Sequence, residues 1–204
     1  MTLTSETFWN DRAQSYTARP IIDVPAYEAG LDVIIPHLRP EHHVVELGAG
    51  SGATAARLSR HVTHMLATDS AAQMVRIART NATANMDVAQ HSAKTLAQEG
   101  VRTDVVLALN LLHLLPDLDG DLGHIAEILP RGGLFISKTP YSGGGLNLWA
   151  PLLWVMRKIG QAPFVKFHRL DALKSAITRA GFEVVETTIQ SGAPSRAIIV
   201  ARKI

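Results

Sequence analysis

Cysteine is absent from the 204 residues. That excludes disulfides, thiolate metal sites and cysteine nucleophiles, and it permits a reducing compartment. No run of about 18 apolar residues exists, so no transmembrane helix is expected. The most apolar stretch, Leu146 to Met156, is too short to span. The N-terminus, Met1 to Arg12, is polar and acidic rather than basic and then apolar, so no secretory signal is expected. Charge of one sign is also scarce. The net charge is +2 despite a pI of 9.1, too small an excess to argue for nucleic acid. Internal repeats and low-complexity tracts are missing. A cytoplasmic location is the expectation.

What is present is an ordinary globular balance. With 47 % hydrophobic and 19 % charged residues, the chain can bury the core of one domain and is not composed like a disordered one. The first forty residues read as two helices. Phe8, Trp9, Ala13 and Tyr16 recur at helical spacing, and Pro20 and Pro25 punctuate the chain before Ala26 to Leu38. From His43 onward strands alternate with helices. Strands are expected at Val44 to Leu47, Thr63 to Thr68, Met86 to Gln90, Asp104 to Asn110 and Leu134 to Ser137. Helices are expected at Ala53 to His61, Ala71 to Thr83, Leu118 to Leu129 and Asp171 to Ala180. That order implies a mostly parallel sheet with helices on both faces. The last two strands, Phe182 to Ile189 and Arg196 to Lys203, are joined by six residues, too few for a helix. They are expected to form an antiparallel hairpin and bring the sheet to seven strands.

The sharpest motif is Glu46-Leu47-Gly48-Ala49-Gly50-Ser51-Gly52, between an expected strand and an expected helix. Glycines let the backbone turn sharply and approach a ligand, and the helix start offers N–H donors. Such a loop can hold a dinucleotide pyrophosphate or the methionine end of S-adenosylmethionine. Alone, it can equally be a tight turn with no ligand. Asp69 ends the next strand, beside the loop at the carboxyl edge, where it can accept two ribose hydroxyls or cap the following helix. The fourth strand ends at the same edge in Asn110-Leu111-Leu112-His113.

Together these features resemble class I S-adenosylmethionine-dependent methyltransferases. The ELGAGSG loop, Asp69, the LALNLLHLL stretch, the LPRGG turn and the AGFEVVE…RAIIVARK ending follow one another in that family's order, from about Phe8 to the end. The resemblance implies a Rossmann-like sheet, one methyltransferase domain over 1–204, and S-adenosylmethionine as cofactor, with S-adenosylhomocysteine as product. It implies a helical lid in residues 1–40, with Trp9, Tyr16 and Arg19 as covering residues, and a substrate-side insertion at 139–169. It places Gly48, Ala49, Gly50 and Gly52 against the methionine portion, with Glu46 ordering that site. Asp69, with Ser70 beside it, would bind the ribose, and Asn110 would contribute its backbone near the methionine group. An acid often follows the third strand near the adenine amine. Here His91-Ser92-Ala93 stands there, so Ser92 or a backbone N–H must serve.

Methyl transfer is an in-line displacement, and positioning is the protein's main task, with a base needed only where the acceptor must lose a proton. His113 is the first base candidate because it lies just past the fourth strand; it can also face outward or cap a carbonyl. His168 and Tyr141 are further candidates on the acceptor side, with surface exposure or simple core burial as the alternatives. No His/Asp/Glu grouping has metal-ligand spacing, so no metal is expected. Residues 146–158 carry Trp149, Trp154, several leucines and then Arg157-Lys158. They suit an apolar acceptor pocket, a cap helix, or a helix at a membrane surface. An Asn-Pro-Pro-Tyr-type sequence is missing after the fourth strand, which lowers nucleic-acid and glutamine acceptors. The expected acceptor is a small, fairly apolar molecule or lipid headgroup, with O, N or S as the methylated atom. Two alternatives stay open: an NAD(P)-dependent oxidoreductase, since Ala53 can stand for the last glycine of a dinucleotide loop, and a non-catalytic cofactor-binding protein.

Overall fold

A computed structural model describes residues 5–142, 162–192 and 194–204 of the chain. The expected 146–158 segment, with Trp149 and Trp154, lies outside the described residues. Two helices come first, α1 (Ser5–Thr17) and α2 (Val24–Ile34), the second capped by Asp23, whose Oδ1 accepts the Ala26 N–H at 3.0 Å. The alternating part follows as β1 (His43–Leu47), α3 (Ala53–Leu58), β2 (His64–Asp69), α4 (Ala72–Thr80), β3 (Met86–Gln90), α5 (Ala93–Gln98), β4 (Val105–Leu109), α6 (Leu118–Ile128) and β5 (Leu134–Pro140). After the segment outside the description come α7 (Leu170–Arg179), β6 (Phe182–Gln190) and β7 (Arg196–Lys203).

The seven strands form one sheet in the order β3-β2-β1-β4-β5-β7-β6. Five strands run parallel, and β7 pairs antiparallel with both β5 and β6. The expected mostly parallel sheet with a terminal antiparallel hairpin is therefore what the chain builds. Insertion of β7 between β5 and β6 departs from the 3-2-1-4-5-6 order of dinucleotide folds. Each face buries its own apolar cluster. Val45, Val106, Phe135 and Ile199 meet α5, α6 and α7 on one side, while Val44, Leu107, Ile136 and Ile198 meet α2 and α3 on the other.

Several boundaries differ from the sequence expectation by a few residues; helix α4, for example, ends at Thr80 rather than Thr83, and two differences have a clear physical reason. The helix expected to run to His61 changes to a 3-10 turn at Ser59–His61, whose Ser59 Oγ bonds back to Ala56 O. Strand β5 runs on to Pro140 because β7 supplies partners that far, with Pro140 opposite Arg196.

The reversal of strand order at β1 and β4 leaves a crevice at their carboxyl ends. That is where ligands bind in open α/β sheets. Helix α1 reaches the same edge. Its Ala13 packs with Ala71 and Met74 of the region just after β2, and Asn10 Oδ1 accepts the Gln73 N–H at 2.9 Å.

Candidate active site

The glycine turn after β1 is shaped by backbone conformation. Gly48, Gly50 and Gly52 have φ of 65°, 55° and 73°, the left-handed region that costs other residues roughly 1–2 kcal/mol. The loop is not a row of free donors, as the sequence suggested. Ala49 N–H goes to Thr68 O, Gly52 N–H to Ala49 O, and Gly50 N–H to Asp69 Oδ2. Room is found at Gly50, where a Cβ would meet nothing within 4 Å, whereas at Gly48 it would lie 2.8 Å from the Leu111 side chain.

Asp69 ties that turn to the next helix. Its Oδ2 accepts from Gly50 at 3.0 Å and its Oδ1 from Ala71 at 2.9 Å. Burial raises its pKa, and those backbone N–H groups oppose the rise. A carboxylate oxygen accepts more than one hydrogen bond, so capping leaves capacity for a ligand. Glu46, on β1, is 2 % exposed, and its Oε2 has no hydrogen-bond partner among the described residues. Burial, and then the negative Asp69, push its pKa up to about 8. An orphaned buried carboxylate oxygen is costly and marks a site for a donor that the chain itself does not supply.

Beside the turn lies a small cleft of about 80 Å³, lined by Leu47, Gly48, Ser70, His91, Ser92, Ala93, Leu111, Leu115, Asp121 and Ile125. Three sequence candidates, Gly48, Ser70 and Ser92, thus share one wall. Ser92 has a second task that the sequence reading missed. It caps α5 in a reciprocal pair with Thr95, its Oγ accepting the Thr95 N–H at 3.2 Å. Asp121, from the first turn of α6, also went unread. It lines the same cleft, with its pKa raised by burial and by Asp117. Asn110, at φ 59°, is the only non-glycine left-handed residue among those described, and its N–H donates to Lys138 O at 2.6 Å. Strain of this kind gathers at functional edges.

The acceptor side is built past β4 and β5. His113 Nδ1 lies 3.2 Å from Thr139 Oγ1, and its ring stacks on Phe167 with centroids 6.2 Å apart. Lys166 N–H donates to His113 O, and Ser142 N–H to His168 O, so residues 162–169 are laced along this edge. Burial, with the charges of Arg196 and His168, lowers the His113 pKa to about 4. His168 is lowered too, first by burial and then by Lys166, and its buried Nε2 has no partner among the described residues. Tyr141 is partly buried against the apolar cluster on the α5–α7 face while its N–H bonds Ser195 O. Tyr16 is 49 % exposed on α1, its ring edge-on to Trp9 at 5.1 Å. Among the described residues no group of three or more His, Asp or Glu side chains is arranged to hold a metal.

A family model for a methyltransferase domain matches residues 17–187. The chain belongs to the class I S-adenosylmethionine-dependent methyltransferase family. An uncharacterised Bacillus subtilis methyltransferase, YcgJ, is 25 % identical over 144 residues, which is 69 % of this chain and 56 % of that protein. A ubiquinone biosynthesis O-methyltransferase of Chelativorans is 26 % identical over 154 residues, 71 % of this chain and 60 % of its own length. The chain thus spans less than two thirds of these curated relatives. Among solved structures, the magnesium protoporphyrin IX methyltransferase of Synechocystis PCC 6803 with bound S-adenosylhomocysteine superposes with a TM-score of 0.73 at 16 % identity, covering 98 % of this chain and 98 % of that one.

The methyltransferase turn carries its own stability test. A Cβ on Gly52 would lie 3.0 Å from Ala78 Cβ, 3.1 Å from Met86 Cε and 3.3 Å from the Ala78 backbone, which cannot swing aside. With the left-handed φ added, Gly52→Ala should cost roughly 2–4 kcal/mol. Gly50→Ala, with open space around its Cβ, should cost only about 1–2 kcal/mol. Denaturant unfolding of both variants checks the order, and equal losses would disprove this account of the turn.

Proposed function

We propose that this chain transfers a methyl group from S-adenosylmethionine to an oxygen of a small-molecule acceptor. The observation that carries the reading is the convergence at one sheet edge of a bare glycine turn, an orphaned buried carboxylate oxygen on Glu46, and Asp69. These residues fit the cofactor: Glu46 has a vacant acceptor for an ammonium group, and Asp69 has spare acceptor capacity for a ribose diol. Gly48 and Gly50 leave backbone exposed to the methionine portion, flanked by Ala49 and Gly52, and Asn110 holds its strained backbone beside them. Ser70 and Ser92 would edge the adenosine, and Asp121 would accept the adenine amine across the cleft. Tyr16 would close over it as part of the 1–40 lid. The bound cofactor supplies an electrophilic methyl on a cationic sulfur.

The remaining work falls to the acceptor side. In the tautomer with Nδ1–H donating to Thr139 Oγ1, His113 would present Nε2 as the base, and its depressed pKa keeps the ring neutral at physiological pH. His168 and Tyr141 would serve as acceptor contacts. An oxygen acceptor is the case that needs a base, and the O-methyltransferase relatives support the same choice. The enzyme would act in the cytoplasm as one domain over 1–204, with the 139–169 insertion facing the acceptor. Membrane contact by 146–158 is tested by liposome flotation. Among the described residues no helix is long and apolar enough to cross a membrane.

Calorimetry with S-adenosylmethionine and S-adenosylhomocysteine, followed by labelled-methyl transfer to a panel of phenols, hydroxy acids and amines, tests the proposal. Absence of heat with both nucleosides would end it. Within it, His113→Ala should lower kcat by about 10²–10⁴-fold on an oxygen acceptor while leaving the S-adenosylhomocysteine affinity unchanged. At saturating cofactor and acceptor, the wild-type kcat should be flat across the neutral pH range, because His113 gains its proton only in acid. A variant with unaltered kcat removes His113 as the base.

A further inference from the structure

At the opposite rim of the sheet lies a cleft of about 400 Å³ that the methyl-transfer reading does not use. It opens at the amino ends of β1, β4 and β5, one strand length from the glycine turn, about 13 Å along β1. Its volume falls in the range of small-molecule sites. Arg39, Arg131 and Arg202 line it from three separate segments: the approach to β1, the α6–β5 turn and β7. The described ion pairs engage none of the three. One carboxylate, Asp104, joins them, and its Oδ2 already accepts the His43 N–H at 2.8 Å. His37, also in the lining, lies 3.1 Å from Glu186, a second acidic side chain near this rim. His42 adds a donor. Its Nδ1 accepts the Arg39 backbone N–H at 3.2 Å, so in the neutral ring the proton sits on Nε2. Leu134 and Val185 give the cleft an apolar wall, and Val185 is 47 % exposed.

We propose that this amino-edge cleft binds a phosphate-bearing small molecule of nucleotide size, its phosphates on the Arg39, Arg131 and Arg202 guanidiniums and its body against Leu134 and Val185. Arginine forks match phosphate oxygens two at a time, and an apolar wall suits a flat organic body. Three guanidiniums outnumber the one carboxylate in the lining, Asp104, and an anion relieves the repulsion among them. A concave site of this size favours a small ligand over the broad, flatter contact of an acidic protein. The cleft is separate from the cofactor crevice, so occupancy of one should leave the other open.

Calorimetric titration of ADP at low salt, with and without excess S-adenosylhomocysteine, tests this. ADP should bind in both cases, more weakly as salt is raised. The Arg131→Gln, Arg202→Gln double variant should lose at least about tenfold in affinity. Arg60→Gln with Arg79→Gln removes the same charge from exposed positions elsewhere and should lose little. No heat with wild-type chain in the low millimolar range would overturn the proposal. So would displacement of ADP by S-adenosylhomocysteine, which would put the nucleotide in the cofactor crevice, or an equal loss in the control variant. Binding of a poly-glutamate peptide but not ADP would assign the face to an acidic protein and overturn it as well.

Discussion

Asp69→Asn is expected to weaken S-adenosylhomocysteine binding by about 100-fold, the size of two charge-assisted hydrogen bonds lost together. The side chain would be nearly unchanged in shape, so the effect isolates chemistry. Both carboxylate oxygens accept a backbone N–H, one from Gly50 and one from Ala71. A carboxamide has only one accepting oxygen, so its NH2 would face one of those donors and offer nothing to the other. Either the glycine turn or the start of α4 loses its tether, and the ligand diol loses its anionic acceptor. A ligand variant separates the two effects. If Asp69 contacts the ribose, the 2′-deoxy analogue should bind wild-type chain about tenfold more weakly and bind the asparagine variant no worse than the parent nucleoside does. If the analogue loses the same factor on both proteins, Asp69 acts on the turn alone and its ribose role is wrong.

Much of this edge was legible in the sequence because it is local. The strand before Gly48, the strand ending at Asp69 and the hairpin at the chain end each declare themselves within about ten residues by apolar runs and turn residues. The order of strands follows once the connections are counted, since right-handed crossovers leave few choices. Other features depend on what folding brings together. Helix α5 went unread because it has six residues and is held by the Ser92–Thr95 cap rather than by an apolar stripe. Asp121 looked like one more acid at a helix start, and only the packing of α6 beside α5, which brings it to the Ser92 cleft, gives it meaning. His113 and His168 are 55 positions apart, and their mutual influence exists only in the folded chain. The glycine loop shows the converse limit. Its residues were read correctly as a turn, yet its N–H groups turn inward, which composition does not reveal.

Glu46→Gln should move stability and ligand affinity in opposite directions. In the folded chain the Glu46 carboxyl has its pKa raised from 4.5 to about 8. Folding therefore favours its protonated form. That contribution is complete below the unfolded value of 4.5 and is lost as pH rises through 8. At mildly alkaline pH the wild-type chain without cofactor should carry a penalty of up to about 4 kcal/mol that a glutamine, always neutral, does not. The variant should accordingly melt several degrees higher than wild type in alkaline buffer and converge with it in acid. Cofactor binding should show the reverse. If the orphaned Oε2 is the acceptor for the cofactor ammonium, the carboxyl must ionise on binding, and a proton should leave at neutral pH. Calorimetry in two buffers of different ionisation enthalpy would register that proton for wild type and not for the variant. The variant's affinity should fall by about 10- to 100-fold, since an ammonium donor meets a neutral amide in place of a carboxylate. A stabilised variant that still binds the nucleoside at full strength would show that Glu46 serves the turn and not the ligand.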